Sequence, residues 1–246
     1  MSIISRSNPL NLQYRICIVT AASSALGIII CKTLLKANAF VLGIDTRPKD
    51  ASLNAGLGTH FQFLQCDVQE EGAAQRAVVA AREKFDGIER VDVLVTLADT
   101  GGEIDGLGRL SEVVGGVMAQ EGRGSIIHIL AGDEKSEKAT SKLVVISRRM
   151  NSKHAGRGVR CNVLDSQAAS PEPSSDVVPD YEGAKTHMTD LIKSENVVKD
   201  VPSADEGTKQ VASHLYEIAN LTLFLAGDMS ECAGRIVHLS GTSSTL

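Results

Sequence analysis

The chain contains no tryptophan, and aromatic residues make up only 3% of its 246 positions. Little is therefore available to stack against a flat aromatic ligand. Positive charge is also short. Lys and Arg number 25 against 30 Asp and Glu, a formal net charge of −5. The basic residues are scattered, Arg148-Arg149 is too short a cluster to change that, and the charge balance gives no support to nucleic-acid or anionic-membrane binding. No apolar run approaches the roughly 20 residues that span a bilayer. The leading segment MSIISRSNPLNLQYR lacks the long apolar core of a secretion signal. Cysteine is sparse and solitary: Cys17, Cys31, Cys66, Cys161 and Cys232 form no metal-spaced CxxC, and the odd number argues against a disulfide framework. They are expected to be reduced core residues. No metal site, no nucleic acid and no membrane are expected, and a cytoplasmic protein follows.

What is present is an alternation. With 43% hydrophobic content the chain can bury one sizeable core. Ile16 to Val19 is a short apolar run suited to a strand buried on both faces, and Thr20 to Gly27 is small and polar. Ile28 to Leu35 carries apolar residues at helical spacing, and Phe40 to Ile44 is a second buried strand ending at Asp45. This is the order of a nucleotide-binding unit, in which pyrophosphate rests on a tight turn at a helix N-terminus and an acid meets the ribose. The turn spends alanine at 21 and 25 where glycine is usual, and keeps Gly27.

The alternation continues. FQFLQCDV at 61–68 predicts a third strand ending in Asp67, and Glu70 to Phe85 an amphipathic helix. Val91 to Leu97 is a nearly all-apolar fourth strand, central in a parallel sheet. Residues 99–109 are glycine-rich, leaving only a short helix at 110–120 before strand SIIHIL at 125–130. A helix at Lys138 to Ser152 and a sixth strand, GVRCNVL at 158–164, follow. Residues 165–206 are rich in Pro, Ser and acid, with one helical piece at 182–195. That stretch leaves the C-terminal end of a strand, where open α/β sheets bind ligands, and is read as a lid. Gln210 to Leu225 and GRIVHL at 234–239 close the chain as helix and strand. The pattern specifies a single α/β domain over 1–246: a Rossmann-like, doubly wound parallel sheet with helices on both faces.

The motifs resemble the short-chain dehydrogenase/reductase family across the whole chain. Its glycine turn falls on Thr20-Ala21-Ala22-Ser23-Ser24-Ala25-Leu26-Gly27, and its adenine-contacting Asp-Val on Asp67-Val68. Its N-N-A-G after the fourth strand falls on Thr96-Leu97-Ala98-Asp99, and its closing segment on FLAGDMSECAGRIVHLSG at 224–241. The resemblance implies a nicotinamide cofactor, NADP(H) or NAD(H), held by Thr20, Ser23, Ser24, Leu26, Gly27, Asp67, Val68 and Ala98. Asp45 can accept two ribose hydroxyls, as NAD asks. Arg47 can pair with a 2′-phosphate, as NADP asks. It also implies a homodimer or homotetramer. The shortened helix at 110–120 weakens one of the family's usual surfaces, so a dimer through the last helix and strand is expected.

The catalytic set departs from the family. Ala131 stands at the serine position. On the following helix Lys142 matches the lysine and would reach the nicotinamide ribose, while Lys138 replaces the tyrosine. The asparagine has no counterpart. A literal Y-x-x-x-K at Tyr181 to Lys185 lies after the sixth strand, inside the presumed lid and away from the family's helix. Without a phenol, hydride transfer to a ketone lacks its proton donor. Hydride transfer to a cationic C=N needs none, and asks instead for a negative charge beside the cation. Asp165, after the sixth strand, supplies one; a capping role in a loop is the plain alternative. This combination is similar to fungal reductase/Diels-Alderases of bicyclic indole alkaloid pathways, the malbrancheamide and paraherquamide type. That group implies NADPH-dependent iminium reduction and an intramolecular [4+2] cycloaddition of a small-molecule substrate. Only its Asp carries over, as Asp165, without the flanking Pro, Gly and Trp. Two other readings stay open: a nucleotide-binding partner protein without activity, and carbonyl reduction through Tyr181.

Overall fold

The computed structural model describes residues 8, 10–53, 58–85, 90–98, 104–131, 137–166, 206–228 and 231–239. Its centre is a seven-stranded, all-parallel sheet. In chain order the strands are β1 (Ile16–Thr20), β2 (Phe40–Asp45), β3 (Phe61–Gln65), β4 (Val93–Ala98), β5 (Gly124–Ala131), β6 (Val159–Ser166) and β7 (Ile236–Leu239). In space they run β3-β2-β1-β4-β5-β6-β7. Five helices connect them: α1 (Ala25–Lys36), α2 (Ala73–Glu83), α3 (Ile104–Gln120), α4 (Glu137–Lys153) and α5 (Glu206–Ala226). The strand order turns back between β1 and β4, and that is where a crevice opens at the C-terminal ends of the strands.

Successive strand residues face opposite ways, and the core divides accordingly. Cys17, Val19, Val95, Ile127, Ile129 and Leu164 pack with Leu26 to Leu34 of α1 and Ile218 to Ala226 of α5. Ile16, Ile18, Leu42, Leu94 and Ile126 pack with α2, α3 and Met150 of α4. Leu130 and Val163 extend that second face with Leu107, Ala139 and Leu143. The seven strands match the expected doubly wound sheet, with the inner strands β1, β2, β4, β5 and β6 buried on both faces and the edge strands β3 and β7 more open.

Opposite the crevice, the sheet is fastened by Asp92. Its side chain is 2% exposed. Oδ2 accepts the Ile16 backbone N–H at 3.0 Å and the Arg90 Nε–H at 3.2 Å. Oδ1 lies 2.8 Å from the Arg123 guanidinium, an ionic contact without a well-directed hydrogen bond. One carboxylate thus ties the start of β1 to the segment entering β5. Nearby, Ser125 Oγ donates to the Leu225 carbonyl at 2.8 Å, and Arg160 donates to that of Gly227 at 3.0 Å. The end of α5 is thereby held against β5 and β6.

Two expectations need correction. α3 is a full helix of 17 residues from Ile104, not a short one at 110–120. Gly106 and Gly108 each weaken a helix by about 1 kcal/mol relative to Ala, yet tertiary packing overrides them. A Cβ at Gly106 would sit 2.7 Å from the Val68 carbonyl and 2.5 Å from Gln69 Nε2. Glycine there lets α3 settle on the turn after β3. A full-length α3 removes the reason for expecting a dimer through the last helix and strand. The sixth strand also runs on through Asp165 to Ser166, so Asp165 is a strand residue rather than a cap in a loop. The presumed lid, with the helical piece at 182–195, Tyr181 and Lys185, lies outside the described residues.

Among the cysteines, Cys17, Cys31 and Cys161 are buried, while Cys66 and Cys232 are half-buried; all five are free. Burial pushes the Cys161 thiol up to about 12, and those of Cys17 and Cys31 higher still. Those three are packing residues without thiolate chemistry.

Candidate active site

The turn between β1 and α1 is drawn tight around Gly27. A Cβ at that position would lie 2.1 Å from the Ala21 carbonyl oxygen and 2.9 Å from Ser24 Oγ. No other residue fits without moving the turn. Ala21 holds φ at +48°, the left-handed region that glycine would enter freely. The family's glycine conformation is thus kept with an alanine in place. A left-handed L-residue costs roughly 1–2 kcal/mol, and part of this returns through the floppier unfolded chain of a glycine variant. Ala21→Gly is therefore expected to stabilise the protein by about 0.5–1 kcal/mol, read as a rise in melting temperature of about 2–3 °C. A fall would mean the turn is unstrained.

Ser24 caps α1. Its Oγ accepts the Gly27 N–H at 3.0 Å and donates to the Ala21 carbonyl at 2.7 Å. Thr20 is buried, and its Oγ1 accepts the Leu97 N–H at 3.0 Å, linking β1 to the end of β4 across the switch point. Leu26 points into the core, so only its backbone faces a ligand at the helix end. Ala98, 2% exposed, closes β4 and packs with Ile104 and Leu130.

Asp45 is where the structure adds most to the cofactor question. Its carboxylate is 4% exposed. Oδ2 accepts the Ser23 backbone N–H at 2.9 Å, and Oδ1 accepts the Arg47 backbone N–H at 2.9 Å. The Arg47 Nε also donates to Oδ1 at 3.3 Å, with its side chain 56% exposed. Ser23 Oγ donates to the Pro48 carbonyl at 2.9 Å. The acid at the end of β2 is thus engaged in holding the turn shut. Beyond it, a cavity of about 450 Å³ is lined by Thr46, Gln65, Cys66, Asp67, Glu70 and Arg76. Asp67 Oδ1 accepts the Gln69 N–H at 2.8 Å, and Val68 packs onto the core below. A tight turn at a helix N-terminus and an open cavity over the ends of β2 and β3 fit the pyrophosphate and adenine of a dinucleotide.

On the other side of the switch point, Asp165 lies near the C-terminal end of β6. The register places Leu130, Asp165 and His238 in one row across β5, β6 and β7. Leu130 packs with Leu143 of α4, so alternation turns Asp165 toward the α4 face, the face that carries the family's tyrosine and lysine. Asp165 is buried, with a side chain 4% exposed, and its Oδ2 lies 3.2 Å from His238 Nδ1. The preceding and following residues face the opposite way. Ser166 Oγ lies 2.6 Å from Nε2 of the buried His214 on α5, whose Nδ1 is 3.6 Å from Glu217. Neither histidine contact was legible in the sequence: 73 positions separate Asp165 from His238, and no spacing rule joins them.

Lys142 sits elsewhere. It is 45% exposed, and its Nζ is 3.9 Å from Asp105 at the start of α3. Lys138 is exposed. Lys142 and Asp165 therefore both belong to the α4 side, but the lysine faces α3 and not the carboxylate. Beneath the row lies His128, fully buried, with Nδ1 2.7 Å from Thr96 Oγ1 and Nε2 unpartnered. Burial pushes its pKa down to about 4, so it is a neutral core residue at ordinary pH.

Residues 15–113 match the family model described as short chain dehydrogenase. A short-chain dehydrogenase/reductase of Penicillium canescens is 27% identical over 96% of this chain and 98% of its own length. One from Talaromyces verruculosus is 24% identical over 96% and 99%. The 3-oxoacyl-[acyl-carrier-protein] reductase of Escherichia coli is 25% identical over 94% and 98%. Among solved structures, a hydroxysteroid dehydrogenase from Escherichia coli superposes with a TM-score of 0.67 at 22% identity, covering 96% of this chain and 98% of that one. That likeness concerns the fold. No described helix is long and apolar enough to cross a membrane. In sequence over residues 15–113, and in fold over nearly all of its length, this chain is similar to short-chain dehydrogenases/reductases.

Proposed function

We propose that the protein is an NADPH-dependent reductase of a small cationic C=N compound, an iminium or protonated imine. The observation that carries this is Asp165: a buried carboxylate at the C-terminal end of β6, on the α4 face, in a chain without the family's serine and tyrosine. A nicotinamide held here would supply hydride to the carbon of C=N⁺, a step that needs no proton transfer. What remains for the protein is to hold a positive charge at the right place in a site of low polarity, where a fixed carboxylate is worth far more than in water. The proposal covers the reduction alone.

The preference for NADPH over NADH rests on Asp45 and Arg47. With the Asp45 carboxylate engaged by two backbone N–H groups, ribose hydroxyls must compete for it. The exposed Arg47 guanidinium is held there by weaker contacts of 3.3 and 3.4 Å and can turn to a 2′-phosphate. The second reading, a nucleotide-binding partner protein without activity, is favoured by one observation: Lys142 is turned to Asp105.

Fluorescence titration with NADPH and NADH separates the two at the first step, followed by reduction of N-methyl-3,4-dihydroisoquinolinium. Arg47→Ala is expected to weaken NADPH about tenfold and leave NADH unchanged, the size of one charge-assisted contact. Asp165→Asn is expected to lower iminium turnover about 100-fold with cofactor binding intact. Equal turnover by the Asn variant removes the mechanism; cofactor binding without any turnover favours the partner reading.

A further inference from the structure

His238 is 59% exposed and stands on β7, directly across from the buried Asp165. Val237 and Leu239 pack toward the core on the α5 side, so alternation sets His238 on the same face as Asp165 and Leu130. Its Nδ1 is the atom 3.2 Å from the carboxylate. A carboxylate 3.2 Å from Nδ1 favours the tautomer with hydrogen on that atom and leaves Nε2 as the ring atom available to a ligand. The row therefore places a histidine beside a buried carboxylate at the C-terminal ends of β6 and β7.

We propose that His238, oriented by Asp165, is a proton donor of this site, so that neutral carbonyl compounds are reduced as well as cationic C=N compounds. This rests on the reductase reading above, and extends its substrate class. For a carbonyl, the carbon receives hydride and two electrons while the oxygen receives the Nε2 proton of imidazolium. The product is an alcohol, the imidazole becomes neutral, and solvent returns its proton. For an iminium no proton is transferred, and the Asp165 carboxylate supplies the negative charge, so one pair serves both reactions.

The test uses the full-length protein with NADPH and two probes, 9,10-phenanthrenequinone and N-methyl-3,4-dihydroisoquinolinium. Only the quinone requires a proton. His238→Gln is expected to lower the ratio of quinone to iminium turnover about 100-fold, the usual scale of general acid catalysis. Long-range proton–nitrogen spectra give a readout apart from activity. The wild type is expected to show the Nδ1–H tautomer of His238, and Asp165→Asn to shift it toward Nε2–H. An unchanged turnover ratio overturns the proposal, as does an Nε2–H tautomer in the wild type. So does NADPH binding with iminium reduction but no quinone reduction. Absence of NADPH binding would instead fail the underlying reductase reading, and the tautomer result would still decide whether Asp165 orients His238.

Discussion

Replacing Asp92 with alanine is expected to cost about 3 kcal/mol of folding free energy, from two losses that add. The Ile16 N–H at the start of β1 is left buried without an acceptor, and Arg90 and Arg123 lose the carboxylate that gathers them. Both arginines are more than a third exposed, so they rehydrate, and the effect stays below that of a fully buried ion pair broken on one side. In a domain of this size the melting temperature should fall by about 10 °C. Asp92→Asn keeps an acceptor for Ile16 and gives up only the charge, so about half of that loss is expected. Urea denaturation midpoints of the two variants measure the difference. Equal and small effects would show that β1 is held by its ladders to β2 and β4 alone.

Acid should unfold the protein early, and His128 is the reason. Its ordinary pKa near 6.5 falls to about 4 in the core because burial penalises the charged ring. Between those values the unfolded chain takes up a proton that the folded chain refuses, so stability rises with pH there. The contribution is complete above pH 6.5 and is lost as the pH falls toward 4, amounting to roughly 3 kcal/mol over that window. Burial lowers the pKa of His154 in the same direction. A double variant, His128→Leu with Thr96→Val, removes both the ring and the hydroxyl that faces it. Unfolding midpoints against pH should then be flatter between 4 and 6.5. A slope equal to that of the wild type would assign the acid sensitivity to other groups.

The sheet could be read from the chain because each of its parts announces itself locally. Short β-branched runs such as Val93 to Leu97 can only be strands buried on both faces. Gly27 stands where helix and strand approach too closely for a side chain. α3 was misjudged for a physical reason: glycine lowers intrinsic helix propensity, and nothing local reveals that Gly106 is needed to admit the turn at Val68 and Gln69. Asp165 can be singled out in the sequence from the catalytic residue types missing around it, but its contact with His238 cannot. His238, like Arg123 with Asp92 and His214 with Ser166, meets it only when strands or helices distant in the chain are laid side by side. Asp45 gave the opposite lesson. It ends β2 as the sequence predicts, and its carboxylate, expected to meet a ribose, accepts the Ser23 and Arg47 backbone N–H groups and latches the turn.

Asp165 and Ser166 are consecutive in β6, and the pleat sends one to His238 and the other to His214. Gaining or losing a single residue upstream in that strand would exchange them, presenting a hydroxyl to the crevice and driving a carboxylate beneath α5. In the proposed reaction, register within β6 therefore matters as much as the identity of the acid.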